Sequence, residues 1–317
     1  MQELLAQFLF QFSKSSPLFV LIAIGYALSR WGGCQKSASS AITKFAFNVS
    51  LTAMLFRLLA KSNMHADPLL LVAFFGSALL LIFISWFIAS RILRIRSVGA
   101  LIFGVASVYS NSSLLGLPLS VVMLGEAYMP SVTSVVSFNN LVLWTVASIL
   151  VELSRKNQCS CWSAFGHGLM NILRNPLILS IIAGALWNLT HIELPTIIDE
   201  PLRLLGNSAT PLALIAVGMG LAEYGFDRGL GRSLVLSLIK LTAFPLLVYA
   251  VAHGLGLGQI ETTAIVFMAT LPCAANAYLM AREFHAIGPE IANAMLITTL
   301  SAAFTMPFVV TLLKAGL

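Results

Sequence analysis

Residues 110–120 read SNSSLLGLPLS, in the middle of an apolar run from Val98 to Leu124. Asn111, Ser112 and Ser113 set three hydrogen-bonding side chains side by side, and Gly116 and Pro118 follow. A membrane helix has its middle where water is scarcest, so polar groups and helix breakers are most expensive there. The fold has to explain how they are accommodated.

The rest of the chain is as apolar as this run suggests. Of 317 residues, 58% are hydrophobic and only 9% are charged, against about 25% charged in an ordinary soluble domain. A mean hydropathy of +0.92 makes the lipid bilayer the solvent. The net charge of +6 then reads as an orientation signal. No clustered basic face calls for nucleic acid. The first 14 residues carry Glu3 and lack a basic start and a cleavage site, so they read as the lead-in to the first span. Cys34, Cys159, Cys161 and Cys273 include one C-x-C with no second pair to complete a zinc site, which leaves unpaired thiols. His65, His167, His191, His253 and His285 form no H-x-x-x-H pair. No metal or cofactor is expected.

Ten apolar segments lie near 8–30, 39–60, 68–92, 98–124, 128–151, 175–190, 195–222, 232–256, 260–282 and 289–313. The odd-to-even loops hold twelve basic residues and the other side holds five, with Lys240 left over inside a span. The positive-inside rule makes the richer side cytoplasmic and puts both termini outside. Pro17 to Gly25 and Pro176 to Gly184 share P-L-x-x-x-I-x-x-G. From Pro17 to Pro118 is 101 residues, and from Pro176 to Pro272 is 96. These spacings predict two five-helix repeats, 1–152 and 175–317, joined by a cytoplasmic linker, 153–174. Five is odd, so the repeats are inverted, the plan common among secondary transporters.

The second repeat carries its own interruption, ATLPCAANAYLMA from Ala269 to Ala281, with Pro272 about twelve residues into its span. Proline lacks an N–H and clashes with the preceding turn, but fits the first turn of a new helix. Each interrupted span is therefore expected to be two half-helices, the second starting near Leu117 and near Pro272. Free N–H groups and a positive dipole end then face each break and favour an anion. Asn111, Ser112, Ser113 and Asn276 add neutral donors and acceptors, and Gly116 lets a backbone or ligand come close. The competing reading is a plain proline kink with local side-chain bonds.

NSSLLGLPL, ATPLALIAVGMGLA (Ala209 to Ala222) and LPCAANAYLMAREF, in this order, with LIAIGYALSRWG in the first span and LTAMLFRLLA in the second, resemble the auxin efflux carrier family over nearly the whole chain. That family includes plant hormone exporters and bacterial carriers for malonate, malate and similar organic acids. The resemblance implies an all-α membrane protein of ten transmembrane helices, with helices 4 and 9 broken and crossing near the midplane. It implies a homodimer through helices 1, 2, 6 and 7. It places the crossover site on Asn111 to Pro118 and on Pro272 to Asn276, Ala274 included. The short loop between spans 5 and 6 points to the bacterial branch and so to the inner membrane. Thr52 stands where many relatives have a proline, which leaves the bend of that helix open.

No Asp or Glu lies deep in a span, which weighs against a carboxylate proton relay. Lys240 lies eight residues beyond Arg232, roughly 12 Å into the membrane at about 1.5 Å per residue. It either supplies positive charge at the crossover, to the substrate or in place of a coupling cation, or snorkels to the cytoplasmic surface. Asn139 and Asn140 in the fifth span and Asn293 in the tenth face the cavity or bond between helices. The expected activity is secondary transport of a small organic anion by alternating access, with no catalytic residues. The alternatives are a sodium-coupled carrier of the bile-acid or antiporter kind and a non-transporting sensor. No phosphate loop for ATP and no catalytic motif occurs.

Overall fold

The computed structural model describes residues 2–32, 36–61, 68–155, 176–222 and 229–314. Cys34, Cys159, Cys161, His65, His167 and nearly all of the linker 153–174 lie outside the described residues. The described chain is helical apart from one isolated bridge. In order, its α-helices are α1 (Gln2–Arg30), α2 (Lys36–Phe45), α3 (Leu51–Ala60), α4 (Pro68–Arg91), α5 (Ser97–Ala106), α6 (Leu117–Met123), α7 (Met129–Arg155) and α8 (Pro176–Leu189). The second group is α9 (Thr196–Asn207), α10 (Ala209–Leu221), α11 (Leu230–Leu238), α12 (Phe244–Gly254), α13 (Gln259–Thr270), α14 (Ala275–Glu283) and α15 (Gly288–Lys314).

Seven stretches among the described residues are long and apolar enough to cross a bilayer: Leu5–Arg30, Ser40–Ala60, Pro68–Arg91, Glu126–Val151, Thr196–Leu221, Leu230–Gly254 and Gly288–Lys314. The other three of the ten expected segments are not continuous helices of that length. The sixth is described only as the 14 residues of α8. The fourth is divided into α5 and α6, and the ninth into α13 and α14. Large apolar side chains point outward along the bundle, among them Val72, Phe83, Leu186, Leu246 and Phe304. This is the surface expected where lipid takes the place of water.

Three helices contain a widened π turn, at Ala46–Ser50, Ser112–Gly116 and Ile239–Ala243. Each ends on a bond spanning five residues: Leu51 N–H to Ala46 O, Leu117 N–H to Ser112 O and Phe244 N–H to Ile239 O. The next residue explains each one. Pro118 and Pro245 have no N–H to give, and in a regular helix their rings collide with the carbonyl four residues back. The wide turn moves that carbonyl aside. In the first case the next residue is Thr52, whose hydroxyl donates to Asn48 O and Val49 O, both at 2.8 Å.

Glycines set the closest helix contacts. A Cβ on Gly25 of α1 would lie 2.1 Å from Ile215 O of α10, and one on Gly218 of α10 would lie 1.9 Å from Ile22 O of α1. A Cβ on Gly184 of α8 would lie 2.7 Å from Phe56 O of α3. Gly25 and Gly184 hold the same place in the repeated motif. Each lets its helix lie backbone to backbone against a helix from the other half of the chain, the small-residue contact typical of membrane bundles. The fold is an all-α membrane bundle whose long-range contacts suggest an internal repeat.

Several of the described basic residues cluster at two sites near helix ends. At one end Arg57 and Lys61 of the α3 region pair with Asp199 of α9, each at 2.7 Å. Lys314 there donates to Met123 O at 3.3 Å. At the other end Arg232 pairs with Glu290 at 3.2 Å, and Arg94, Arg96 and His285 lie around the same cavity.

Candidate functional site

The two interruptions meet. Ser110 and Cys273 form an antiparallel bridge. On either side of it Asn111 N–H donates to Pro272 O at 2.9 Å and Ala274 N–H donates to Tyr109 O at 3.0 Å. The unwound backbone of each helix thus satisfies that of the other, which removes most of the cost of leaving it unpaired away from water. The Cys273 N–H, also buried, donates to the Thr298 hydroxyl of α15 at 3.1 Å.

The breaks differ from the expected boundaries. The second half of the ninth segment starts at Ala275, not near Pro272. Leu271 is extended, with φ −60° and ψ 146°, and residues 272–274 run on as the bridge strand. The second half of the fourth segment has its regular α-helix from Leu117, as expected, but the π turn already opens it at Ser112.

Beside the bridge is a cavity of about 270 Å³ lined by Phe47, Ser110, Asn111, Ser112, Ser113, Leu114, Asn140, Ala274, Ala275 and Asn276. Four backbone N–H groups on this wall, those of Ser113, Leu114, Ala275 and Asn276, find no acceptor among the described residues. They are the first donors of two helical segments, so the cavity faces two positive dipole ends. Asn140 organises the opposite side. Its Oδ1 accepts from the Tyr109 hydroxyl at 2.8 Å and from Asn276 Nδ2 at 3.1 Å.

Lys240 is fully buried. The π turn at Ile239–Ala243 turns it inward, and its Nζ donates to Ser110 Oγ and to Ala269 O, both at 2.8 Å. The Nζ also lies 4.7 Å from the centre of the Phe244 ring, within cation–π range. The snorkelling alternative therefore fails: the side chain bonds across the two breaks. Ala269 O is one of the carbonyls that the end of α13 leaves free, where the negative dipole end favours a cation. Lys240 is not on the cavity wall.

The remaining candidates separate in the same way. Asn111, Ser112, Ser113, Ala274 and Asn276 lie together around the cavity. Gly116, Pro118 and Pro272 are buried behind it. A Cβ on Gly116 would lie 2.7 Å from Leu271 Cδ1 and 3.2 Å from Met268 Cε, so the glycine admits side chains of the other interrupted helix. Asn139 donates to Ser112 Oγ at 3.2 Å and is buried behind the wall, with its Oδ1 unpartnered among the described residues. Asn293 is buried in α15 and does not line the cavity. Phe47 and Tyr109 were not candidates from sequence. Tyr109 directly precedes the polar run and carries the only signal for itself, an aromatic with a polar tip beside a break. No group of three or more His, Cys, Asp or Glu residues that could hold a metal occurs among the described residues.

Comparison with known proteins adds a family. The model for a family described as membrane transport protein matches residues 11–310. A putative malonate transporter of Rhizobium meliloti (strain 1021) is 26% identical over 307 residues, 95% of each chain. Auxin efflux carrier component 8 of Arabidopsis thaliana is 21% identical, over 88% of this chain and 90% of its own. The uncharacterized transporter YfdV of Escherichia coli (strain K12) is 21% identical, over 92% of this chain and 94% of its own.

Proposed function

The chain belongs to the membrane transport protein family, and on that premise we propose that it is a secondary carrier of small organic anions, binding them in the cavity where its two interrupted helices meet. The observation that carries this is the set of four unpaired N–H groups, at Ser113, Leu114, Ala275 and Asn276, around one polar cavity. A carboxylate is the ligand such a site suits best: it accepts several hydrogen bonds and is favoured by both dipole ends. Asn111, Ser113, Asn140 and Asn276 supply further neutral partners. The cavity is smaller than the roughly 300–1,000 Å³ of sites for drug-sized ligands. A short mono- or dicarboxylate of the malonate kind fits that scale, and the name of the R. meliloti relative points the same way.

In this reading the chain crosses the bilayer ten times as two inverted repeats, 1–152 and 175–317, with the crossing of segments four and nine at the midplane. The reciprocal glycine contacts of α1 with α10 and of α8 with α3 support it. The end with Arg94, Arg96 and Arg232 faces the cytoplasm and both termini face outward, in a bacterial inner membrane. Spans 1, 2, 6 and 7 form a scaffold and the dimer contact, and the interrupted helices move against it to expose the site alternately.

Lys240 takes the part of a built-in cation. Its ammonium holds a hydroxyl and a helix-end carbonyl, the oxygen types a sodium ion would recruit. The sodium-coupled alternative therefore loses a natural place for the ion. The test is counterflow of labelled malonate and malate in proteoliposomes at varied sodium. Exchange that is independent of sodium supports the carrier. Binding without exchange would leave a sensor, and a strict sodium requirement would restore the alternative.

A further inference from the structure

The end of the bundle with the arginines contains a second cavity, of about 550 Å³, lined by Arg94, Ile95, Arg96, Ser97, Val98, Gly99, Arg232, His285, Ala286 and Ile287. We propose that it is a headgroup site for an anionic phospholipid, with the lipid phosphate held by Arg94, Arg96 and Arg232. The inference does not rest on what the carrier moves.

Charge is the first argument. Three arginines from two separate parts of the chain line this cavity. Glu290, on Arg232, is the one carboxylate paired with any of them among the described residues. The side chains of Arg94 and Arg96 have no hydrogen-bond or ion-pair partner among the described residues. The cavity at the opposite end makes the contrast. It is also about 550 Å³ and holds Arg57, Lys61 and Arg203. Those three pair with Asp199 and Glu200, and Glu126 lies on the wall, so the charges balance. The general bias of basic residues toward one membrane face puts arginines at this end. It does not gather them round one cavity with a surplus of two positive charges.

Backbone geometry is the second argument. Four non-glycine residues among those described have positive φ, and three of them, Arg94 (52°), Ser97 (24°) and His285 (53°), line this cavity. Such conformations are strained for residues with a side chain and persist where the surroundings hold them. The N-terminus of α5 opens beside them, and its cap residue, Arg96, makes no side-chain bond to it.

Exposed apolar side chains close in sequence to these arginines favour a lipid over a free ion. Ile92, two residues before Arg94, is 69% exposed, and Leu230 and Leu234 flank Arg232 at 48% and 56%. A phosphate among arginines with acyl chains against these side chains satisfies both halves of the surface. Basic pockets between membrane helices take acidic headgroups in this way.

The test uses the purified full-length protein, native mass spectrometry and added phosphatidylglycerol or phosphatidylcholine. Wild type should retain phosphatidylglycerol selectively. The double variant Arg94→Gln/Arg96→Gln should retain it at least tenfold less, since each basic residue near an acidic surface contributes about one factor of five. Arg203→Gln, at the other end, should match wild type. Arg94→Lys/Arg96→Lys keeps the charge, and retention between wild type and the glutamine variant is expected even if the latter folds poorly. Equal retention by wild type and the glutamine variant would overturn the site. So would equal loss in Arg203→Gln. Displacement of the lipid by inorganic phosphate at matched concentration would overturn the lipid as occupant and leave a free phosphate site.

Discussion

The two interruptions do the same job with different materials. The first, residues 107–116, is long and polar: it brings Ser110, Asn111, Ser112 and Ser113 to the cavity and ends in a π turn. The second, residues 271–274, is short and carries no polar side chain but the Cys273 thiol; it works through backbone, offering Pro272 O to Asn111 and, just before it, Ala269 O to Lys240. A break built from backbone must borrow its charge and its side-chain hydrogen bonds from neighbours. Lys240 supplies the first and Asn140, through Asn276, the second. Both neighbours belong to spans other than the two interrupted ones, so the site's polarity is shared between the breaks and the helices packed against them.

That division makes predictions that differ in size. The largest effect belongs to Lys240→Met. It leaves Ser110 Oγ and Ala269 O without their shared donor, at about 1–3 kcal/mol for each buried group. Uptake in proteoliposomes should fall at least a hundredfold; wild-type rates would remove Lys240 from the mechanism. Gly116→Val comes next. Its side chain must displace the ends of Leu271 and Met268, and overpacking of this kind costs about 1–3 kcal/mol. A lowered melting temperature and loss of uptake together are expected, while Gly116→Ala should lie between. Asn140→Leu removes two bonds, to Tyr109 and Asn276, so KM for the anion should rise about thirtyfold at roughly 1 kcal/mol for the net loss of each. Ser113→Ala should change KM only a few-fold, because its N–H remains and only a hydroxyl at about 0.5–1.5 kcal/mol is lost. If Ser113→Ala exceeded Lys240→Met, the division of labour between side chains and backbone would be the wrong way to describe the site.

The breaks themselves could be read from sequence, because Asn-Ser-Ser, Gly and Pro in the middle of an apolar run have few structural solutions in lipid. Their partnership could be read too, from the similar offsets of Pro118 and Pro272 within the repeat, 101 and 96 residues. Directions could not. Asn139 and Asn140 lie about 100° apart on one helix, and sequence spacing does not say which of them looks into the cavity and which bonds Ser112 behind it. The depth of Lys240 is compatible with snorkelling or with burial, and the choice is made by the π turn that Pro245 imposes. Pro272 looks like a helix start, yet its carbonyl is claimed by Asn111, so the chain stays extended for three residues more. Gly116 looked like room for a ligand or a backbone, and the structure fills it with Met268 and Leu271. Each of these outcomes depends on a partner from another helix, from 27 to more than 150 residues away, or on a turn whose register local propensity does not encode.

The bridge between Ser110 and Cys273 has a mechanical consequence. Two backbone bonds and the Lys240 clip yoke the interrupted helices together, and undoing the yoke would strand several polar groups in hydrocarbon at once. In the proposed carrier the pair would then move as one piece with the cavity in its side, and Phe47, on the second span and on the cavity wall, would be part of the surface it passes.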